Sequence, residues 1–198
     1  MTRNQIIEKV LAKMDEMNTI SEGATIVDYQ VASELDSSAV ELMTILPPHL
    51  CNPSSTSPTV TNGMITCPND FLRIAELEMS AWDKSLTSLV LSNDPRVTYS
   101  LYNYYKPSAK YPLAVLKNTA GATAPFYKIK VEPWTAGDTV VTFTYIKRPS
   151  AAEVLDDSLI DLFSWLCASR VYRVHGEHDM AKNCEEKFIS MVQTAVNI

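Results

Sequence analysis

The sequence is poor in the residues that most small-molecule chemistry needs. It holds only 5 glycines, and none falls into a GxGxxG or GxxxxGKS/T pattern, so no glycine loop is present to cradle phosphates. Histidine is limited to His49, His175 and His178, and neither an HExxH pair nor a GxSxG elbow occurs. The four cysteines, Cys51, Cys67, Cys167 and Cys184, lie far apart with no CxxC pair. That spacing argues against a zinc finger or a disulfide framework, and buried free thiols are expected. Long apolar runs are missing too: nothing approaches the ~20 residues of a membrane-spanning helix. Glu8, Lys9, Lys13, Asp15 and Glu16 interrupt the first segment, so no secretory signal is expected there. The chain is expected to fold in the cytosol where it is made, with no membrane partner.

What is present is an ordinary globular composition, with 46% hydrophobic and 20% charged residues, which excludes disorder as the main state. The formal charge of -6 is unevenly spread. Residues 1–83 carry twelve acids and four bases, and residues 149–198 carry eight acids and four bases. Between them, residues 84–148 hold nine bases against only Asp94, Glu132 and Asp138. A basic middle between acidic flanks suits self-complementary association at least as readily as nucleic-acid binding.

Periodicity divides the chain in the same places. Ile6, Ile7, Val10, Leu11, Met14 and Met17 predict an amphipathic helix over 4–17, with Asn4 as its N-cap. Leu35, Ala39, Leu42, Met43 and Leu46 predict a second over 33–46, started by Ser33 with Asp36 and stopped by Pro47–Pro48. The polar stretch 52–63 reads as a surface loop or hairpin tip. Short β-branched and aromatic runs follow at Met64–Cys67, Arg73–Met79, Leu113–Leu116, Tyr127–Val131 and Thr139–Ile146. Turns at Asn118–Gly121 and Ala136–Asp138 predict that the last three strands form an antiparallel meander, with Thr139–Ile146 central. Residues 82–111 stay ambiguous, with Trp82–Leu91 open between strand and short helix. Beyond Pro149, Asp156, Asp157 and Ser158 suit a helix start, and a long helix runs to a break at Gly176. A last helix over 177–195 aligns Ala181, Cys184, Phe188, Met191 and Ala195.

Candidate chemistry is sparse. His175-Gly176-Glu177-His178-Asp179 holds two imidazoles and two carboxylates, but it spans the predicted helix break, and compensation of helix dipoles accounts for it without a metal. Glu76/Glu78 and Asp156/Asp157 read as solvated surface charge rather than a catalytic pair. The middle segment says more, because seven of the nine tyrosines lie in 99–145. Tyr102, Tyr104 and Tyr105 cluster near Lys106 and Lys110, with Lys128 and Lys130 further on. Rings among cations are how single strands of nucleic acid are held, yet tyrosine is also favoured in strands and at protein interfaces. The oligomer-interface reading of these seven residues leads, and nucleic-acid binding is the alternative. No catalytic residue, cofactor or metal ligand is assigned.

Three stretches carry a family resemblance. Ser33-Glu34-Leu35-Asp36-Ser37-Ser38-Ala39 heads the second helix. Ile65-Thr66-Cys67-Pro68-Asn69-Asp70-Phe71-Leu72-Arg73-Ile74 leads into the β-segment, with Trp82 beyond it. Tyr145-Ile146-Lys147-Arg148-Pro149 closes that segment ahead of Leu162-Phe163-Ser164-Trp165-Leu166-Cys167-Ala168-Ser169-Arg170-Val171. In element order the whole chain resembles the head–tail adaptor and tail-tubular-A-like ring proteins of tailed bacteriophages, especially short-tailed, crAss-like phages. Asn69 and the Cys67 ahead of the proline are mild departures, and every matching motif is structural rather than catalytic.

The resemblance implies an α+β fold: a helical bundle from the N- and C-terminal helices (1–52 and 149–198) carrying an inserted antiparallel β-domain (53–148). Leu162, Phe163, Trp165, Leu166, Phe188 and Met191 should be buried or at interfaces. The resemblance further implies a non-enzymatic virion protein of the neck, assembled in the host cytoplasm. It would form a ring, commonly a dodecamer, beneath the portal protein and give later tail or ring proteins a platform. Such a subunit can be monomeric until it meets the portal. Genomic DNA would pass through without sequence-specific binding, and a net acidic protein suits that role because a basic lumen would grip the phosphates.

Overall fold

The computed structural model describes residues 1–17, 28–102, 106–118 and 127–196. Among these residues it has a mixed α+β fold with five α-helices and two sheets. It divides into two compact units, Met1–Pro47 with Arg148–Ile198, and Pro48–Lys147. The first break falls between Pro47 and Pro48 rather than at 52/53. There the proline pair ends the helix and begins a short 3-10 turn, Pro48–Leu50, whose carbonyl at Pro48 accepts from Cys51. The first unit carries sixteen acids and eight bases, the second seven acids and nine bases.

In the first unit, α1 (Arg3–Met17), α2 (Asp28–Ile45) and α5 (His178–Val196) all contact α4 (Ile160–Val174). Helix α4 is buried nearly all round, from Ile160 to Tyr172. Its small residues Ser164, Cys167, Ala168 and Ser169 let neighbouring helices approach. The two hydroxyls cost little there because each donates back into its own helix, Ser164 to the Ile160 carbonyl and Ser169 to that of Leu166, both at 2.7 Å. Leu162, Phe163, Trp165, Leu166 and Phe188 are buried as expected, whereas Met191 is only half-buried.

Both N-cap expectations for the first two helices need correction. The first helix is capped by Thr2, not Asn4: the Gln5 amide donates to Thr2 Oγ1 (3.4 Å) and the Thr2 amide to Gln5 Oε1 (2.9 Å), a reciprocal capping box. The second helix starts at Asp28, ahead of Ser33, whose hydroxyl bonds the Gln30 carbonyl inside the helix. Asp36 is spent on a tertiary contact, accepting from Arg3 at 3.0 Å and from the Ala152 amide at 3.1 Å. Asp156 does cap as expected, accepting from the Ser158 amide in a 3-10 turn that leads into α4. Gly176, at φ 80°, takes the left-handed position that ends α4.

The second unit holds β1 (Ser54–Ser55), β2 (Val60–Thr61), β3 (Met64–Thr66), β4 (Phe71–Met79), β5 (Val90–Leu91), α3 (Pro95–Tyr99), β6 (Leu113–Asn118), β7 (Tyr127–Glu132) and β8 (Val140–Lys147). One sheet runs β1-β8-β4, with β8 central, and the other β2-β3-β7-β6-β5. Residues from both sheets, among them Ile65, Phe71, Leu77, Ile129, Val131, Phe143 and Tyr145, form one core. The 52–63 stretch supplies two short strands, and Asn62–Gly63 (φ 53° and 70°) makes the tight turn between β2 and β3. A side chain at 63 would also meet the Trp134 ring at 3.5 Å.

Two expectations about the β-segment are overturned. The last three strands are no meander: β6 pairs with β7, but β8 crosses to the other sheet and pairs with β1 and β4. Pro133 offers no N–H to extend β7, and the turn closed by Asp138 and Thr135 releases the chain from that sheet. Nor is the β-segment wholly antiparallel, because β5 runs parallel to β6. Residues 92–112, with α3 among them, give the crossover that parallel pairing requires. The ambiguous 82–111 segment thus holds both a strand and a short helix, α3, capped by Asp94.

Candidate protein–protein interface

The tyrosine enrichment separates into two populations. Tyr145 is 3% exposed, stacks on Phe71 at 5.9 Å between ring centroids and donates its hydroxyl to Asp70 at 3.0 Å. Tyr127 packs against the same core. These rings serve the fold. Tyr99, Tyr102 and Tyr111 are 55–66% exposed and serve no core, and Leu91 and Leu101 lie exposed with them. Five large apolar side chains are thus exposed within residues 91–111, and two of them, Tyr99 and Tyr111, line one cleft, the kind of exposed apolar surface that marks binding.

That surface carries cations. The Lys84 and Lys110 ammonium groups lie 5.4 and 5.8 Å from the Tyr111 ring centroid, within cation–π range. Arg96 is paired with Asp94 at 3.0 Å, which raises the guanidinium's pKa and lowers that of the carboxyl through their hydrogen bond. Lys106 lines an open cleft of about 320 Å³ together with Leu86, Val90, Tyr99, Pro107 and Tyr111.

Lys128 and Lys130 lie elsewhere, on β7. Strand alternation turns Ile129 and Val131 into the core and the two lysines to the opposite face. There Lys128 stands across from Lys117, a like-charged pair, and Lys130 across from Val115. Lys130 is neutralised locally by an ion pair with Glu132. The same face continues into a small apolar cluster of Val90, Leu113 and Val115, covered in part by Val97 of α3.

Of the seven proposed interface residues, then, Tyr102, Lys106 and Lys110 belong to the 91–111 surface and Lys128 and Lys130 to the outer sheet face. Tyr104 and Tyr105 lie outside the described residues. Sequence reading missed Tyr99, Tyr111, Arg96 and Lys84. Their tyrosine and charge were visible in the composition, but only the fold separates Tyr111 from the core tyrosines.

Other candidate chemistry has structural explanations. His175 ends α4 and His178 begins α5, and among the described residues no group of three or more His, Cys, Asp or Glu side chains could hold a metal ion. All four cysteines are buried and none forms a disulfide; Cys51 Sγ accepts from the Arg73 guanidinium at 3.8 Å. Burial pushes the thiols of Cys67 and Cys167 up to about 12 and that of Cys184 to about 11, far from the thiolate form a nucleophile needs. Among the described residues no helix is long and apolar enough to cross a membrane. No protein-family model matches the sequence, and no curated protein matches it.

Proposed function

We propose that the chain is a structural head–tail connector subunit of a tailed bacteriophage, a non-enzymatic virion protein that works as one segment of a ring below the portal. The observation that carries the reading is the meeting of two of the motif stretches, one at the start of β4 and one at the end of β8. Asp70-Phe71-Leu72-Arg73 and Tyr145-Ile146-Lys147 are paired strands, with Phe71 opposite Lys147 and Ile74 opposite Tyr145. They are joined by the Tyr145–Asp70 hydrogen bond and flanked by a Lys147–Asp70 ion pair at 4.0 Å. The entry strand β1 also pairs with the exit strand β8, Ser54 opposite Tyr145, and an insert closed in this way leaves the terminal helices free to act as one bundle. The bundle with its inserted, mainly antiparallel β-domain is the architecture that the resemblance implies.

In this reading the subunits form a dodecameric ring that contacts the portal protein on one side and later tail proteins on the other. Genomic DNA passes through the ring without sequence-specific contact. Segregated charge, with the first unit strongly acidic and the second mildly basic, guides register and rate of assembly more than it adds strength. Exposed pairs give only ~0–1 kcal/mol each, so burial of tyrosine and aliphatic surface supplies the affinity. Imaging of virions or portal complexes tests this: density for the chain at the neck supports it, and a neck without the chain refutes it.

The cations over Tyr111 and the like-charged Lys117–Lys128 pair favour one second reading, a surface for single-stranded nucleic acid. A mobility assay across a salt series decides between them. Binding through several phosphates weakens steeply with salt, and no binding at low salt removes that reading.

A further inference from the structure

Resting on the ring reading, we infer that the cleft of the β-containing unit between β5, α3 and residues 106–113 is a socket for the Val154 segment of a second copy. The cleft has an apolar floor, Leu86, Val90 and Leu113, and an aromatic wall, Tyr99 and Tyr111. Around it stand Lys84, Arg96, Lys106 and Lys110 against Asp83 and Asp94. Its occupant must therefore offer an apolar side chain set among carboxylates.

The helical unit offers such a side chain. Val154 is 62% exposed in a 3-10 turn. Glu153, Asp156 and Asp157 flank it in sequence, and Asp36 reaches the same turn through the Ala152 amide. Arg3 is shared by Asp36 and Glu153 and the Met1 amine meets Asp157, so three of these carboxylates share two cations and the segment keeps an acidic excess. Asp157 stays 74% exposed. The other exposed large apolar side chains described on this unit have different surroundings. Val174 stands between Arg173 and His175, and Ile45 has no acid within three residues; Ile189 lies one turn after Glu185 and Glu186, which pair with Arg173 and Lys182, and Met1 carries the cation that meets Asp157.

Plug and socket are different surfaces of one chain, so the contact is heterologous. Each copy then offers its Val154 segment to one neighbour and its cleft to the other, which is the connectivity of a ring or a filament. The socket explains why tyrosines that serve no core remain exposed beside lysines: neighbouring carboxylates cover the cations, and Val154 fills the cleft.

The test is a thiol cross-link in assembled oligomers. A chain carrying both Val154→Cys and Ser88→Cys, the latter an exposed position on the cleft, is treated with a short bismaleimide. The four native thiols are buried and give no background. A ladder of covalent multimers is expected from the double variant. A mixture of the two single variants should give dimers and nothing larger. Rings at the neck that show no more linkage than a Val174→Cys/Ser88→Cys control overturn the socket while leaving the ring reading intact. Absence of the chain from any neck oligomer overturns both.

Discussion

The Tyr145 hydroxyl, on the last strand of the β-segment, donates at 3.0 Å to the carboxylate of Asp70, the residue just ahead of β4. Burial first, then the hydrogen bond and charge of Asp70, push the phenol up to about 12. The bond ties the start of β4 to the end of β8, beside the Phe71–Tyr145 stack.

Tyr145→Phe is expected to destabilise the protein by about 0.5–1.5 kcal/mol, the usual net value of one such hydrogen bond. In a double-mutant cycle with Asp70→Ala, which leaves no acceptor, the two losses should not add, because both variants remove the same bond. Chemical denaturation of the four proteins checks this. Strict additivity would mean that Asp70 and Tyr145 act independently.

Asp36 joins α2 to α1 and to the turn after β8 by accepting from Arg3 and the Ala152 amide. The Arg3 hydrogen bond, with help from Ala152, holds its carboxyl below the ordinary value of 3.8. A depressed folded-state pKa gives stability that is present above the unfolded value and lost as pH falls through the folded one. Asp36→Asn should therefore lower stability at neutral pH and flatten its loss between pH 4 and lower values, as read by denaturant midpoints across that range. An unchanged acid limb would show that other carboxylates govern it.

Alkaline conditions act with the opposite sign. Cys67, Cys167, Tyr145 and Tyr172 have folded-state values raised to about 12 and Cys184 to about 11, all chiefly through burial. Their contribution is complete below the unfolded values of 9.0 for thiols and 10.0 for phenols and is lost as pH rises toward the folded ones. The native protein should be silent toward a thiol reagent at pH 8, and all four cysteines should react in denaturant. Fast labelling of native protein would contradict their burial.

Charge reversal should discriminate among the lysines. Lys106→Glu with Lys110→Glu is expected to slow assembly or shift its register and to leave the monomer's circular dichroism unchanged, since both residues are at the surface. Lys130→Glu should matter less to assembly, because Glu132 already neutralises Lys130, and more to the local strand, where it would set two carboxylates side by side. Equal effects from the two substitutions would remove the distinction between the cleft surface and the outer sheet face.

Much of the fold was legible because it rests on local periodicity. Leu35, Ala39, Leu42, Met43 and Leu46 are all buried as their spacing requires, and the five strand segments fall where β-branched runs occur. What stayed hidden was long-range. Alternation in Val140–Lys147 says that a strand is there but not that it leaves β7 for β4. Ser33 and Asp36 look like a capping box in isolation, yet Asp36 has a partner over a hundred residues away in Ala152. The interface was half legible for the same reason: composition flags tyrosine and lysine in 99–130, while only packing tells Tyr111 at the surface from Tyr127 and Tyr145 in the core.

Cryo-electron microscopy of the virion neck or of a purified portal complex bears on the ring reading as a whole. A closed ring of this chain beneath the portal is expected, with each subunit's helices forming one bundle and the cleft beside Tyr99 and Tyr111 occupied by the neighbour. A neck built without this chain, or a ring in which Lys106 and Lys110 point into bulk solvent with no acidic neighbour within reach, would contradict it.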